Sequence, residues 1–110
     1  MKPELQFRAL RHLEKDPTLS QRALSAKLGI SLGRTNYCLR ALVDKGWLKL
    51  QRLADDPSRI RYVLTPRGID ERMRMTREFI RQKEAEYAAL QQEIEELRAE
   101  ARSLSEGDER

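Results

Sequence analysis

The chain has one cysteine, one histidine and one tryptophan in 110 residues, and only 5% of it is aromatic. A single thiol, Cys38, makes no internal disulfide, and no second cysteine stands near it at metal-ligand spacing. Long apolar runs are missing too: nothing approaches the roughly 18 consecutive apolar residues of a membrane span. The opening Met1-Lys2-Pro3-Glu4 lacks the apolar stretch of a signal peptide. Together these absences make the cytoplasm the expected location. With 36% charged residues and few aromatics, a modest core is expected, too small for a large enzyme cleft. No phosphate loop or paired metal-ligand motif accompanies His12 or Cys38. We therefore expect no catalytic residue, metal or cofactor, with His12 a surface or core residue on or beside the first helix and Cys38 filling the core.

Acidic residues are scarce in one half. Residues 1–65 hold 13 Lys/Arg against 6 Asp/Glu, a net of +7, whereas residues 66–110 hold 9 against 12, a net of −3. The N-terminal part is the one suited to a polyanion. Many soluble domains carry such a surplus, so charge by itself decides little.

What is present is periodic. Leu5, Ala9, Leu10 and Leu13 share one helical face over residues 4–15, and Asp16-Pro17-Thr18 ends that helix. Ser20 stands as an N-cap before a short helix with Ala23, Leu24 and Leu28 on one face, and Gly29 stops it. Ser31 caps a third helix from about Leu32 to Lys45, whose inward face is Thr35, Cys38, Leu39 and Leu42 and whose stop is Gly46. A connection of about three residues between the second and third helices is the helix-turn-helix pattern. Residues 47–52 alternate with Leu48 and Leu50 on one side, 60–64 are rich in β-branched and aromatic residues, and Asp55-Asp56-Pro57-Ser58 is the turn between. A hairpin directly after the third helix is a wing.

Thr65-Pro66 then starts a helix uninterrupted by glycine or proline from 69 to 106. Ile69, Met73, Thr76, Ile80, Lys83, Tyr87, Leu90, Ile94, Leu97, Ala101 and Leu104 follow alternating steps of four and three, a heptad repeat. A helix over 66–104 is roughly 58 Å long at about 1.5 Å per residue. Its stripe calls for a partner helix. The expected fold is mainly α with a small β-hairpin wing: a winged helix-turn-helix over 1–65, a long coiled-coil dimerisation helix over 66–104 and a frayed tail over 105–110.

Three stretches, Leu19 to Ser31, Leu39 to Leu48 and Tyr62-Val63-Leu64-Thr65-Pro66-Arg67-Gly68, resemble the winged helix-turn-helix core of MarR-type regulators. The likeness covers residues 5–68 and is closest to the small members associated with extracellular-polysaccharide gene clusters. It implies a DNA-binding transcriptional regulator that works as a homodimer. MarR-type proteins carry a further N-terminal helix that aids dimerisation and lines a small-molecule crevice. This chain begins near the first helix of the reading head, so the resemblance implies pairing through the C-terminal helix and leaves any effector unassigned.

In a helix-turn-helix the second helix enters the major groove with its N-terminal residues at the base edges. Those are Leu32, Gly33, Arg34, Asn36, Tyr37 and Arg40. Arg34 has the fork to match guanine O6 and N7, and Asn36 the amide to match adenine N6 and N7. The plainer reading of both is a solvated face or a phosphate contact. Tyr37 suits a phosphate or a thymine methyl, or simple packing, and Gly33 suits close approach to the sugar-phosphate backbone or is a harmless N-terminal position. Ser20, Gln21, Arg22 and Ser31 offer donors at helix starts where a phosphate is favoured, although both serines serve as caps in any case. Arg52, Arg59 and Arg61 flank the wing and suit the minor groove or phosphates, while Asp55 and Asp56 repel them at its tip.

For the rod, Met73, Ile80, Tyr87, Ile94 and Ala101 fall at a and Ile69, Thr76, Lys83, Leu90, Leu97 and Leu104 at d; Ile94 with Leu90 and Leu97 favours a parallel pair over the antiparallel alternative, while Thr76 and Lys83 weaken the seam. Two heads in a symmetric dimer suit a near-palindromic operator. The rival reading is a protein-interaction module that uses the winged head and the rod for assembly, without DNA.

Overall fold

Caps and apolar spacing determine where each helix starts and which side it buries. The computed structural model describes residues 2–108. Helix α1 (Pro3–Lys15) has proline in its first turn, where the missing N–H breaks no helical bond, and buries Ala9, Leu10 and Leu13. Helix α2 (Gln21–Leu28) begins at Ser20, whose hydroxyl accepts from the Ala23 amide at 3.0 Å, and ends at Gly29 with φ 70°. Helix α3 (Leu32–Asp44) begins at Ser31, whose hydroxyl accepts from the Arg34 amide at 3.2 Å, and its buried residues are Thr35, Cys38, Leu39 and Leu42, as the spacing predicts. Gly46, φ 78°, turns the chain out of α3. A residue with a Cβ is strained in that conformation.

Strands β1 (Leu48–Arg52) and β2 (Ile60–Leu64) pair antiparallel, with Leu48 opposite Leu64 and Arg52 opposite Ile60. Leu48 and Leu64 are buried, but Leu50, which the alternation groups with Leu48, is 52% exposed. It does lie on the same side of the pleat. Leu50, two residues further along the strand, stands at an open recess that it shares with Asn36, Tyr37, Arg40 and Tyr62, and so stays in solvent. The wing tip is set by the Asp56 carboxylate, which accepts from the Ser58 amide at 3.2 Å and from its hydroxyl at 2.6 Å.

Helix α4 (Pro66–Asp108) starts where Thr65 Oγ1 accepts from the Gly68 amide at 3.0 Å and donates to the Gly46 carbonyl at 2.6 Å. Helix α4 is assigned through Asp108, beyond residue 104, where the sequence places the end of the dimerisation helix. Gly107 sits inside the last turn without a positive φ, and a glycine ends a helix only where the backbone turns left-handed. Residues 109–110 of the expected frayed tail lie outside the described residues. The chain divides into two compact units, the first ending at Thr76 and the second starting at Arg77. In the first, Gly68 and Met75 are buried, and Arg72 pairs with Glu14 of α1 at 2.7 Å, so the opening turns of α4 pack as part of the head. In the second, every side chain from 81 to 107 is exposed.

Candidate nucleic-acid interface

Helix α3 has two faces because its apolar residues recur every three or four positions. Opposite the buried side stand Leu32, Gly33, Arg34, Tyr37 and Arg40, all exposed, with Tyr37 at 71%. The helix is pinned at its start by two bonds to one residue: the Ser31 hydroxyl accepts from Arg34 N–H, and Thr35 Oγ1 donates to Ser31 O at 2.9 Å. Nothing lies within 4 Å of where a Cβ would stand on Gly33, so this chain's packing does not require glycine there. A second brace comes from Arg8 of α1, which donates to Lys27 O at 3.1 Å and Leu28 O at 3.3 Å, the unpaired carbonyls at the end of α2.

Asn36 differs from its neighbours. It is half-buried, and its Nδ2 donates to Gln21 Oε1 at 3.3 Å, while Gln21 Nε2 donates to Tyr62 Oη at 3.0 Å. Both ends of the Gln21 amide are thus engaged inside the head, whereas Arg22 beside it is exposed. Tyr62 was not among the residues the sequence singled out. It reads as one aromatic in a strand, and nothing in local spacing brings it to Gln21, 41 positions away.

The wing arginines also separate. Arg61 spends Nε and one Nη on Gln51 Oε1, its register partner, at 3.0 and 2.8 Å. Arg52 donates to Pro57 O at 2.9 Å and holds the tip. Arg59 is exposed at a recess of about 280 Å³ that Ser20 and Thr18 share. Hydrogen bonds from the Ser58 hydroxyl and amide hold the Asp56 carboxyl below the ordinary carboxylate range, so the tip stays anionic. Burial pushes the Cys38 thiol up, which leaves it a protonated core residue.

On α4, Ile69, Met73, Ile80, Tyr87, Leu90, Ile94, Leu97 and Leu104 are all exposed large apolar residues. Ala101 is exposed as well, while Thr76 is half-buried and donates to Arg72 O at 2.8 Å. Lys83 pairs with Glu86 of its own helix at 3.3 Å, and Tyr87 Oη accepts from Gln91 at 3.2 Å. Among the described residues no His, Cys, Asp or Glu cluster has the arrangement to hold a metal, and no helix is long and apolar enough to cross a membrane.

Three helices, a short turn between the second and third, and a two-stranded hairpin behind the exposed helix face leave one architecture. The head is a winged helix-turn-helix. Residues 3–49 match the family model described as winged helix-turn-helix DNA-binding. No curated protein matches the chain. Among solved structures, the PcaV transcriptional regulator from Streptomyces coelicolor, in complex with its natural ligand, is similar at TM-score 0.67 and 22% identity, over 77% of this chain and 60% of that one. A MarR transcriptional regulator from Methanosarcina mazei Go1 is similar at TM-score 0.66 and 28% identity, over 76% and 60%. FabT from Streptococcus pneumoniae, in complex with DNA, is similar at TM-score 0.63 and 20% identity, over 76% and 58%. The chain thus spans about three-fifths of the length of these regulators.

Proposed function

We propose that the chain is a sequence-specific, duplex-DNA-binding transcriptional regulator of MarR type that acts as a homodimer on a near-palindromic operator. The observation that carries this reading is the solvent-facing side of α3, where Leu32, Arg34, Tyr37 and Arg40 are exposed while Thr35, Cys38, Leu39 and Leu42 on the opposite side are buried. A helix presented this way fits the major groove, and a guanidinium on its first turn fits guanine O6 and N7. The net +7 of residues 1–65 supplies attraction to phosphates. The DNA complex of FabT supports the same use of the fold.

Pairing rests on the exposed heptad stripe of α4, which the same stripe of a second copy would cover. Two heads on one face of a duplex read half-sites about 34 Å apart, or a multiple of that. Within the MarR type, the likeness of residues 5–68 favours the small subgroup associated with extracellular-polysaccharide gene clusters.

The test is selection of duplexes from a random library, followed by anisotropy titration at several salt concentrations. The expected result is selective binding that weakens steeply with salt. Removing Arg34 and Asn36 together (R34A/N36A) lowers the preference for the selected site by about 1–3 kcal/mol per lost base contact. Retention equal to wild type in a folded double variant removes the assignment of α3.

A further inference from the structure

We propose that Tyr62 is a positioning residue for base reading: its hydroxyl, acting through Gln21, sets which edge of the Asn36 amide faces the DNA. The inference rests on the DNA-binding reading above and adds to it a residue on the wing and a route by which the wing controls the reading helix. Three elements meet here. Asn36 belongs to α3, Gln21 to α2 and Tyr62 to β2, and all three are half-buried, so their bonds face less competition from water than bonds on an open surface.

A carboxamide has an acceptor end and a donor end of nearly equal size, so packing does not choose between its two orientations and hydrogen bonding does. In the observed chain of bonds, Asn36 Nδ2 donates to Gln21 Oε1 and Gln21 Nε2 donates to Tyr62 Oη. Asn36 therefore spends one amide hydrogen inward. Its other hydrogen and Oδ1 remain side by side, which is the donor and acceptor pair that adenine N7 and N6 require. Tyr62, accepting from Gln21, keeps its own hydroxyl hydrogen to donate elsewhere. A phosphate oxygen only accepts, so a duplex that takes that hydrogen reinforces the same sense throughout. The reverse sense has the Tyr62 hydroxyl donating inward, Gln21 turned over and Asn36 Oδ1 drawn inward. It then turns the N–H groups outward, which can donate to adenine N7 but leave the N6 amino group without its acceptor.

Replacing Tyr62 by phenylalanine removes one oxygen and frees Gln21 to adopt either orientation. Two measurements on the full chain decide the matter. Without DNA, the ¹⁵N side-chain amide signals of Asn36 shift in Tyr62→Phe, although Tyr62 makes no bond to Asn36. Unmoved signals overturn the proposal.

With a selected duplex, Tyr62→Phe loses about three- to tenfold of its preference at the base pair that Asn36→Ala relaxes, the size of one neutral hydrogen bond. The double variant is then no worse than Asn36→Ala alone. The readout is a ratio of affinities for selected and altered duplexes, which a general loss of stability leaves unmoved. Additive losses in a selective wild-type background overturn the proposal and leave the DNA reading intact. A wild type with no selective duplex overturns both. If Tyr62→Phe does not fold, Gln21→Met, which removes both amide ends at similar length, must produce the same loss at the same base pair.

Discussion

Gly68→Ala is expected to destabilise the head far more than an ordinary glycine replacement in a helix. A Cβ built on Gly68 overlaps the Trp47 carbonyl oxygen and lies 2.9 Å from its carbonyl carbon and 3.2 Å from its Cα. These are backbone atoms at the junction of α3 and β1, and no rotamer moves them aside. The start of α4 must retreat by roughly an ångström to restore van der Waals separation. That retreat strains two bonds that pin it, Thr65 N–H to Trp47 O at 3.0 Å and Thr65 Oγ1 to Gly46 O at 2.6 Å. Overpacking costs about 1–3 kcal/mol, and two weakened hydrogen bonds cost about 0.5–1.5 kcal/mol each. Alanine's helix propensity returns about 1 kcal/mol. The net is a loss of about 3 kcal/mol, or roughly 12–24 °C in Tm for a head of this size. Trp47 is the only tryptophan and adjoins the site, so its fluorescence during thermal unfolding, at fixed protein concentration, reports the event directly. Gly33→Ala is the control: its Cβ meets open space, and the variant should match or slightly exceed wild type. A Gly68→Ala protein within about 3 °C of wild type refutes the steric argument.

Leu90, 54% exposed at the middle of the stripe, is the place to test pairing. Leu90→Asp should raise the dimer dissociation constant about a thousandfold, from roughly 2 kcal/mol lost per copy, by analytical ultracentrifugation. A variant that sediments with wild type contradicts the seam. His12 should titrate below 6.5, because burial and then Lys27, Arg8, Lys15 and Arg11 disfavour its cation. Its folded pKa being depressed, the stability it contributes is present above pH 6.5 and lost as pH falls through the folded value, and His12→Gln should flatten that part of the pH profile. An NMR midpoint above 6.5 contradicts this. Cys38, buried and with its thiol pushed up, should react with a disulfide reagent only as fast as the head opens. Immediate reaction in the folded protein contradicts its placement in the core.

Much of the fold was legible because it is local. Ser20, Ser31 and Thr65 cap the helices they precede, Gly29 and Gly46 take the left-handed conformation, and Thr35, Cys38, Leu39 and Leu42 face inward from spacing alone. Each depends on residues within four positions of one another. The candidate site was legible in outline on the same grounds: a capped α3 with one packed face leaves Arg34, Tyr37 and Arg40 outward. Gln6 escaped notice because a polar residue on an apolar face signals nothing until its partner is known. It is buried and accepts from Lys45 Nζ at 3.2 Å, across 39 positions. The state of the wing arginines was illegible for a similar reason, since their bonds to Gln51 and Pro57 depend on strand register and turn shape.

Periodicity, caps and turn residues determined the elements of this chain, their order and the side each buries, because those are settled by sterics and hydrogen bonds within a turn or two. Only the folded head decided that the Asn36 amide is tied through Gln21 to a wing tyrosine, that Gly68 must lack a side chain, and that Leu50 lies beyond the core. Those outcomes turn on distances between backbone segments far apart in the chain, which arise when the elements pack and are written in no single stretch of sequence.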